Sequence, residues 1–154
     1  MITTNRAINI VNSFKEPSHR ELLLSYAAGV IDGEGCIGIY PNSHNGNYQL
    51  RISVEMVQLP ALKTLYSLFG GKWYYKKAVK PRQARYIWMV FNRQAAEVCK
   101  ELLPYLRIKN RNVNNVLKAD WVSFYKRPMT DKQQKIRKQV WLANKEINKR
   151  GYYK

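Results

Sequence analysis

Residues 22–40 read LLLSYAAGVIDGEGCIGIY, and the hydrophobic period changes part-way along them. Leu22, Leu23, Leu24, Tyr26, Ala27 and Ala28 begin like a buried helix. Ile37 and Ile39 then alternate with Gly38 and Tyr40, as in a half-buried strand. Between the two patterns lie two carboxylates, Asp32 and Glu34, separated by Gly33 and followed by Gly35. The fold must therefore run a helix into a strand through a short acidic, glycine-rich junction. Upstream, Ser18 and Glu21 have capping-box spacing, which predicts a helix from about residue 19 to Gly33.

The small residues of this helix, Ala27, Ala28, Gly29 and Gly33, suit close approach by a second helix, and Gly29 and Gly33 share a face. Glycine inside a helix costs up to ~1 kcal/mol relative to alanine, so a close partner has to offset it. Glu34 falls at the carboxyl end of the helix, where the dipole disfavours an anion. A divalent cation reverses that cost, because carboxylate and carbonyl oxygens are hard ligands for Mg²⁺. Two such helices meeting at a two-fold axis would bring two copies of Glu34 together.

Beyond the junction, strands are expected at 36–42, 48–57, 72–79 and 86–91. NSHNGN (42–47) forms the first turn, and the basic run KPRQAR (80–85) forms the second. In 48–57, Leu50, Ile52, Val54 and Met56 face one way, and Gln49, Arg51, Ser53 and Glu55 face the other. In 86–91, Ile87, Met89 and Phe91 are expected inward, with Tyr86, Trp88 and Val90 outward. A helix starting near Pro60 carries Leu62, Leu65, Tyr66, Leu68 and Phe69 and stops at Gly70-Gly71. Asn92 is placed to cap a helix at 93–103, which buries Ala96, Cys99, Leu102 and Leu103 before Pro104. Two further helices are expected at 111–125 and 130–149. The order predicts an α+β fold, αββαββα, with an antiparallel four-stranded sheet and a helical tail. Residues 1–17 read as an arm, 18–125 as the core and 126–154 as an extension. There is no internal repeat of the opening motif.

Charge narrows the function. The 154 residues carry 27 Lys and Arg against 10 Asp and Glu, a net +17, which favours a polyanionic partner, nucleic acid above all. No apolar run approaches the ~20 residues needed to span a bilayer, and residues 1–20 lack the apolar core of a secretory signal. Cys36 and Cys99 have no metal spacing and read as reduced thiols of an intracellular protein, its compartment left open. His19 and His44 lie in cap or turn contexts, and no Ser-His-Asp set, phosphate loop or zinc pattern is present.

AAGVIDGEG, residues 27–35, resembles the LAGLIDADG motif of the homing endonucleases. Ala28, Gly29, Ile31, Asp32 and Gly35 match it, Val30 and Glu34 are conservative departures, and Ala27 and Gly33 replace Leu and Ala. The resemblance covers about residues 19–120, and LPYLRIKNRNVNNVLK (103–118) is similar to the segment after the third helix in single-motif members. One motif per chain implies a homodimer, with Ala28, Gly29, Asp32 and Gly33 at its interface.

The resemblance further implies a Mg²⁺-dependent endonuclease that cuts double-stranded DNA at a long, pseudo-palindromic site and leaves short 3′ overhangs. Glu34 and the Gly33 carbonyl would hold the metal. Gln58 and Lys109 would orient water and stabilise the phosphate, while Asp32 serves capping or the interface. An Arg found in some members four residues past the Gln58 position is Leu62 here. The expected DNA-facing residues on the strands are Tyr40, Asn42, Gln49, Arg51, Ser53, Glu55, Tyr75, Lys77, Tyr86 and Trp88, whose types suit base edges. Lys80, Arg82, Arg85, Lys72, Lys76, Lys126, Arg127 and Lys132 would meet phosphates. The alternatives in other classes are an RNA-binding maturase that assists intron splicing and a DNA-binding protein that does not cleave.

Overall fold

Ser18 opens the first helix with a capping box in which its Oγ accepts from the Glu21 N–H (3.2 Å) and the Glu21 carboxylate accepts from the Ser18 N–H (2.6 Å). Such a cap stabilises a helix by about 0.5–2 kcal/mol. The computed structural model describes residues 17–42, 47–122 and 128–149. His44, most of the 1–17 arm, Lys126 and Arg127 lie outside the described residues.

The elements run α1 (His19–Glu34), β1 (Gly35–Pro41), β2 (Tyr48–Met56), α2 (Leu59–Phe69), β3 (Lys72–Lys76), β4 (Arg85–Phe91), α3 (Asn92–Leu102), α4 (Asn110–Val116) and α5 (Asp131–Ile147). The αββαββα order and the helical tail match the sequence expectation. The four strands form one antiparallel sheet in the order β1-β2-β4-β3. The helices cover one face of it. Leu24, Ala27, Ala28 and Ile31 of α1 join Ile37, Ile39, Leu50, Ile52, Val54, Trp88 and Val90 of the sheet in one core. No helix among the described residues is long and apolar enough to cross a membrane.

The β2 alternation holds, with Leu50, Ile52 and Val54 buried against the helices. The expectation for β4 is reversed. The register pairs Ile52 with Val90 and Val54 with Trp88, so Tyr86, Trp88 and Val90 face the helices. Ile87, Met89 and Phe91 are opposite Glu55, Ser53 and Arg51 on the other face. The run YIWMVF holds no charged residue and no side chain whose polarity commits it to solvent, so alternation alone cannot orient it. Trp88 is 0% exposed and its Nε1 donates to the Gly70 carbonyl (2.8 Å), which secures the orientation. Gly70 and Gly71 have φ of +66° and +94°, so glycine is required for the turn that meets Trp88.

Three further differences have local causes. Asn92 does not cap α3. It sits at φ +46°, a region that asparagine tolerates, and its Oδ1 accepts from the Leu50 N–H (3.2 Å), tying the end of β4 to β2. Strand β3 ends at Lys76, leaving Lys77 in the following loop. Helix α4 ends at Val116, and the chain then folds back so that the Trp121 indole donates to the Val116 carbonyl (2.7 Å).

Helix α5 is bound to the rest of the chain by buried polar contacts. Arg137 is 2% exposed and donates to the Asp120, Val122 and Tyr48 carbonyls and to Asn47 Oδ1 at 2.8–3.2 Å. Its guanidinium also lies 5.0 Å from the Trp121 ring centroid. Asn115 donates to the Val140 carbonyl and Asn144 to the Ile37 carbonyl. Val140 enters the same core as α1. Burial lowers the pKa of Arg137, with the Asp120 charge acting in the opposite direction.

Candidate active site and nucleic-acid interface

The carboxyl end of α1 collects the candidate site. The buried residues Leu24, Ala27, Ala28 and Ile31 leave Leu22, Tyr26, Gly29 and Gly33 on the opposite side, at helical spacing. Leu22 and Tyr26 are 54% and 49% exposed, and a Cβ at Gly29 or Gly33 would meet nothing within 4 Å. This flat face is therefore not explained by packing within the chain. Ala28, expected at the dimer interface, lies in the chain's own core at 0% exposure, because it falls on the buried stripe with Leu24 and Ile31.

Glu34 ends α1 and is exposed. It makes no hydrogen bond or ion pair within the described residues, and α1 has no basic residue of its own in the last turn to offset the negative helix end. Among the described residues, no group of three His, Cys, Asp or Glu side chains converges on a metal position. One chain therefore offers an incomplete set of hard oxygen donors: the Glu34 carboxylate and the carbonyls ending α1, the Gly33 carbonyl among them. Carboxylate and carbonyl oxygens are the donors that hard divalent cations such as Mg²⁺ take.

The two acids of the motif have different roles in the structure. Asp32 is half-buried and accepts from the N–H groups of Arg107 (2.7 Å), Ile108 (3.2 Å) and Lys109 (2.9 Å). Burial would push its pKa up, but the three N–H donors and the Lys109 charge outweigh that, and the carboxyl is held below its ordinary range. These amides precede α4, which begins at Asn110 and has no side-chain cap, so Asp32 holds the 107–109 segment and does not cap a helix. The Lys109 Nζ donates to the Asp32 carbonyl, which brings the ammonium to the last turn of α1.

Gln58 reaches the same end by another route. The register pairs Gly35 with Val54, so β2 runs back past the α1–β1 junction before Gln58 enters α2 as its N-cap. Its side chain is exposed and caps nothing. Leu62 is core, at 1% exposure, so this position offers no cation to the site.

The uncovered sheet face carries Tyr40, Gln49, Arg51, Ser53 and Glu55 on β1 and β2, with Asn42 just past β1. The Tyr40 ring lies back over Gly38, where a Cβ would come within 2.6 Å of it, and the Arg51 guanidinium stacks 3.8 Å from the ring centroid. Burial raises the Tyr40 pKa against the opposing hydrogen bond from Arg51. Glu55 pairs with Arg85 and Lys76, so these three hold one another on the face.

Three residues expected here are elsewhere. Trp88 is core, and Tyr75 and Tyr86 lie on the helix side, because β3 pairs Tyr75 with Tyr86 and Trp73 with Trp88. There Tyr86 packs against Tyr75 in a tilted arrangement with ring centroids 5.3 Å apart. Tyr74, paired with Ile87, takes the uncovered position instead, and the β3–β4 register is the signal that the sequence did not supply. Lys72 and Lys76 share that face. Lys77, Lys80 and Arg82 line a concavity of about 540 Å³ at the β3–β4 loop and make no ion pair among the described residues. Lys132 is exposed on the first turn of α5.

No family model matches the sequence, and no curated protein matches it. Solved structures do. The homing endonuclease I-CvuI, in complex with its target in the presence of calcium, superposes with a TM-score of 0.65 at 19% identity over 88% of this chain and 87% of its own. The chain has the LAGLIDADG homing-endonuclease fold. The archaeal intron-encoded homing endonuclease I-Vdi141I, complexed with DNA, gives 0.61 at 14% identity over 88% of this chain and 90% of its own. The LAGLIDADG homing endonuclease I-GzeII, in complex with a DNA target, gives 0.52 at 18% identity, with this chain covering 47% of it. In this LAGLIDADG fold the motif at 27–35 falls at the end of α1, with Glu34 at the tip.

Proposed function

We propose that the chain is a Mg²⁺-dependent, sequence-specific DNA endonuclease that works as a homodimer joined along α1. The observation that carries this reading is Glu34, an exposed carboxylate, unpaired among the described residues, at the end of a helix whose outer face is open at Gly29 and Gly33. Solved neighbours of this fold were captured on DNA: I-CvuI in the presence of calcium and again in the presence of magnesium, there with its DNA not cleaved, and I-Vdi141I.

In this reading two α1 helices meet along Leu22, Tyr26, Gly29 and Gly33, and the two Glu34 carboxylates come together at the two-fold axis. Glu34 and the Gly33 carbonyl would hold the metal, which when bound supplies charge stabilisation for phosphodiester hydrolysis and acidifies its water. Lys109 presents a fixed cation to the phosphate oxygens, and Gln58 orients the attacking water. Each Glu34 serves one strand, and the cuts fall across the central minor groove with short 3′ overhangs. Gln49, Arg51, Ser53 and Tyr74 on the uncovered face read the major groove, while Lys72, Lys77, Lys80 and Arg82 contact phosphates and fix position more than sequence. A symmetric dimer then selects a long, pseudo-palindromic site.

Selection of cleaved sites from a randomised duplex library in Mg²⁺ tests the reading, with Glu34→Gln run in parallel. The reading predicts a recovered palindrome-like site cut by the wild type and left intact by the variant. Recovery of bound but never cleaved duplexes with the wild type would leave a DNA-binding protein and remove the nuclease.

A further inference from the structure

Asp32 is joined through two separate groups to a segment 75–77 residues later in the chain. Its carboxylate takes three consecutive main-chain N–H groups, those of Arg107, Ile108 and Lys109. Its carbonyl takes the ammonium of the third. Lys109 is therefore bound at both ends by one residue, through its own N–H and through Nζ.

The geometry around the segment gives this link consequence. Residues 107–109 precede α4 and belong to no helix or strand, and Ile108 is 58% exposed, so core packing does not fix them. At the end of α1 the Ile31 carbonyl is taken by the Gly35 N–H and the Asp32 carbonyl by Lys109. The Gly33 carbonyl, next in the chain, takes neither of these donors. An unrestrained lysine samples many rotamers, and ordering it has an entropic cost at the moment of use.

We propose that Asp32 is the positioning residue for Lys109: by bonding both its backbone and its ammonium, it fixes the cation beside the Gly33–Glu34 end of α1 before any substrate arrives. This deepens the nuclease reading and rests on it for what Lys109 does next. A plain staple for the entry to α4 would need only the carboxylate contacts. The ammonium on the carbonyl is the feature that a staple leaves unexplained.

Two measurements test the proposal, one of them independent of cleavage. In the folded wild type, acetylation of Lys109 by a small acylating reagent, read by mass spectrometry, should be at least about fivefold slower than at the exposed Lys63 and Lys118, the factor that one net hydrogen bond supplies. Asp32→Asn, shown folded by circular dichroism, keeps the main-chain carbonyl but weakens the amide contacts that hold residues 107–109 against it, so Lys109 should label faster than in the wild type. Equal labelling of Lys109 and the two reference lysines in the wild type overturns the proposal.

The second measurement is a single-turnover cleavage cycle on the selected duplex. Asp32→Asn should slow cleavage by about 10–100-fold with DNA affinity held within about twofold, and Asp32→Asn/Lys109→Met should be no slower than Lys109→Met alone. Effects that multiply mean that Asp32 acts independently of Lys109, and the proposal fails. A wild type that cuts no duplex removes the nuclease reading, while the acetylation contrast still decides whether Asp32 positions Lys109.

Discussion

Replacing Trp88 separates the register of the sheet from any role of that side chain at a nucleic acid. Trp88 is 0% exposed, donates from Nε1 to the Gly70 carbonyl at 2.8 Å and lies against Phe69 with ring centroids 6.3 Å apart. Trp88→Ala removes a buried indole, which costs about 3–5 kcal/mol in transfer and cavity terms. The lost hydrogen bond adds about 1 kcal/mol, because Gly70 is half-buried and water can partly replace the donor. The expected total of about 4–6 kcal/mol is a large part of a typical 5–15 kcal/mol stability. For a chain of this length it corresponds to a fall in Tm of roughly 8–24 °C. Trp88→Phe should lose about 1–2 kcal/mol and stay folded at room temperature. The assay is thermal melting without DNA, at one fixed protein concentration because a dimer's Tm depends on it. It is paired with DNA binding by anisotropy for Trp88→Phe, which should match the wild type within about twofold. A Trp88→Ala protein that melts within a degree or two of the wild type while losing DNA affinity would refute the β4 register and return Trp88 to the uncovered face.

Gly29→Leu should leave the single chain folded, since a Cβ there meets nothing within 4 Å, yet abolish the dimer in sedimentation; a dimer of unchanged affinity would place the interface elsewhere. Arg137→Ala should destabilise the chain by about 3 kcal/mol, because it strips the buried donors from the acceptors at Asn47, Tyr48, Asp120 and Val122, and urea denaturation reads the loss. The Asp32 carboxyl is held below its ordinary value of 3.8, so its contribution to stability should be fully present above that pH and be lost as pH falls through the lower folded value. The gap in urea midpoint between wild type and Asp32→Asn should accordingly be full at neutral pH and close in acid.

What the sequence made legible follows from how much each segment constrained itself. The capping box at Ser18 and Glu21, the period-two run of β2 and the Gly70-Gly71 stop are local patterns with one physical reading each, and each stands in the structure. The β4 run YIWMVF has apolar or aromatic residues on both faces, so its orientation came from pairing with β2 and from the Trp88–Gly70 bond, which are tertiary facts. Asn92 had a plausible local partner in its own helix but found the Leu50 N–H instead. At the site, the motif marked Asp32 and Glu34 together. Only the fold brings residues 107–109 to α1, and with them the difference between an acid bound by three amides and an acid left open. Arg137 carried no sequence signal at all. A cation among Lys132, Lys135, Lys138 and Lys145 on a polar helix reads as solvated until the helix is docked.

A mixed dimer tests the shared site most directly. One subunit carrying Glu34→Gln and a purification tag is paired with a wild-type subunit, isolated, and given supercoiled plasmid bearing the selected site in Mg²⁺. The account predicts that the wild-type dimer linearises the plasmid, the doubly substituted dimer leaves it supercoiled, and the mixed dimer yields nicked circles, because each Glu34 serves one strand. Linear product from the mixed dimer at the wild-type rate, or from the doubly substituted one, would contradict it.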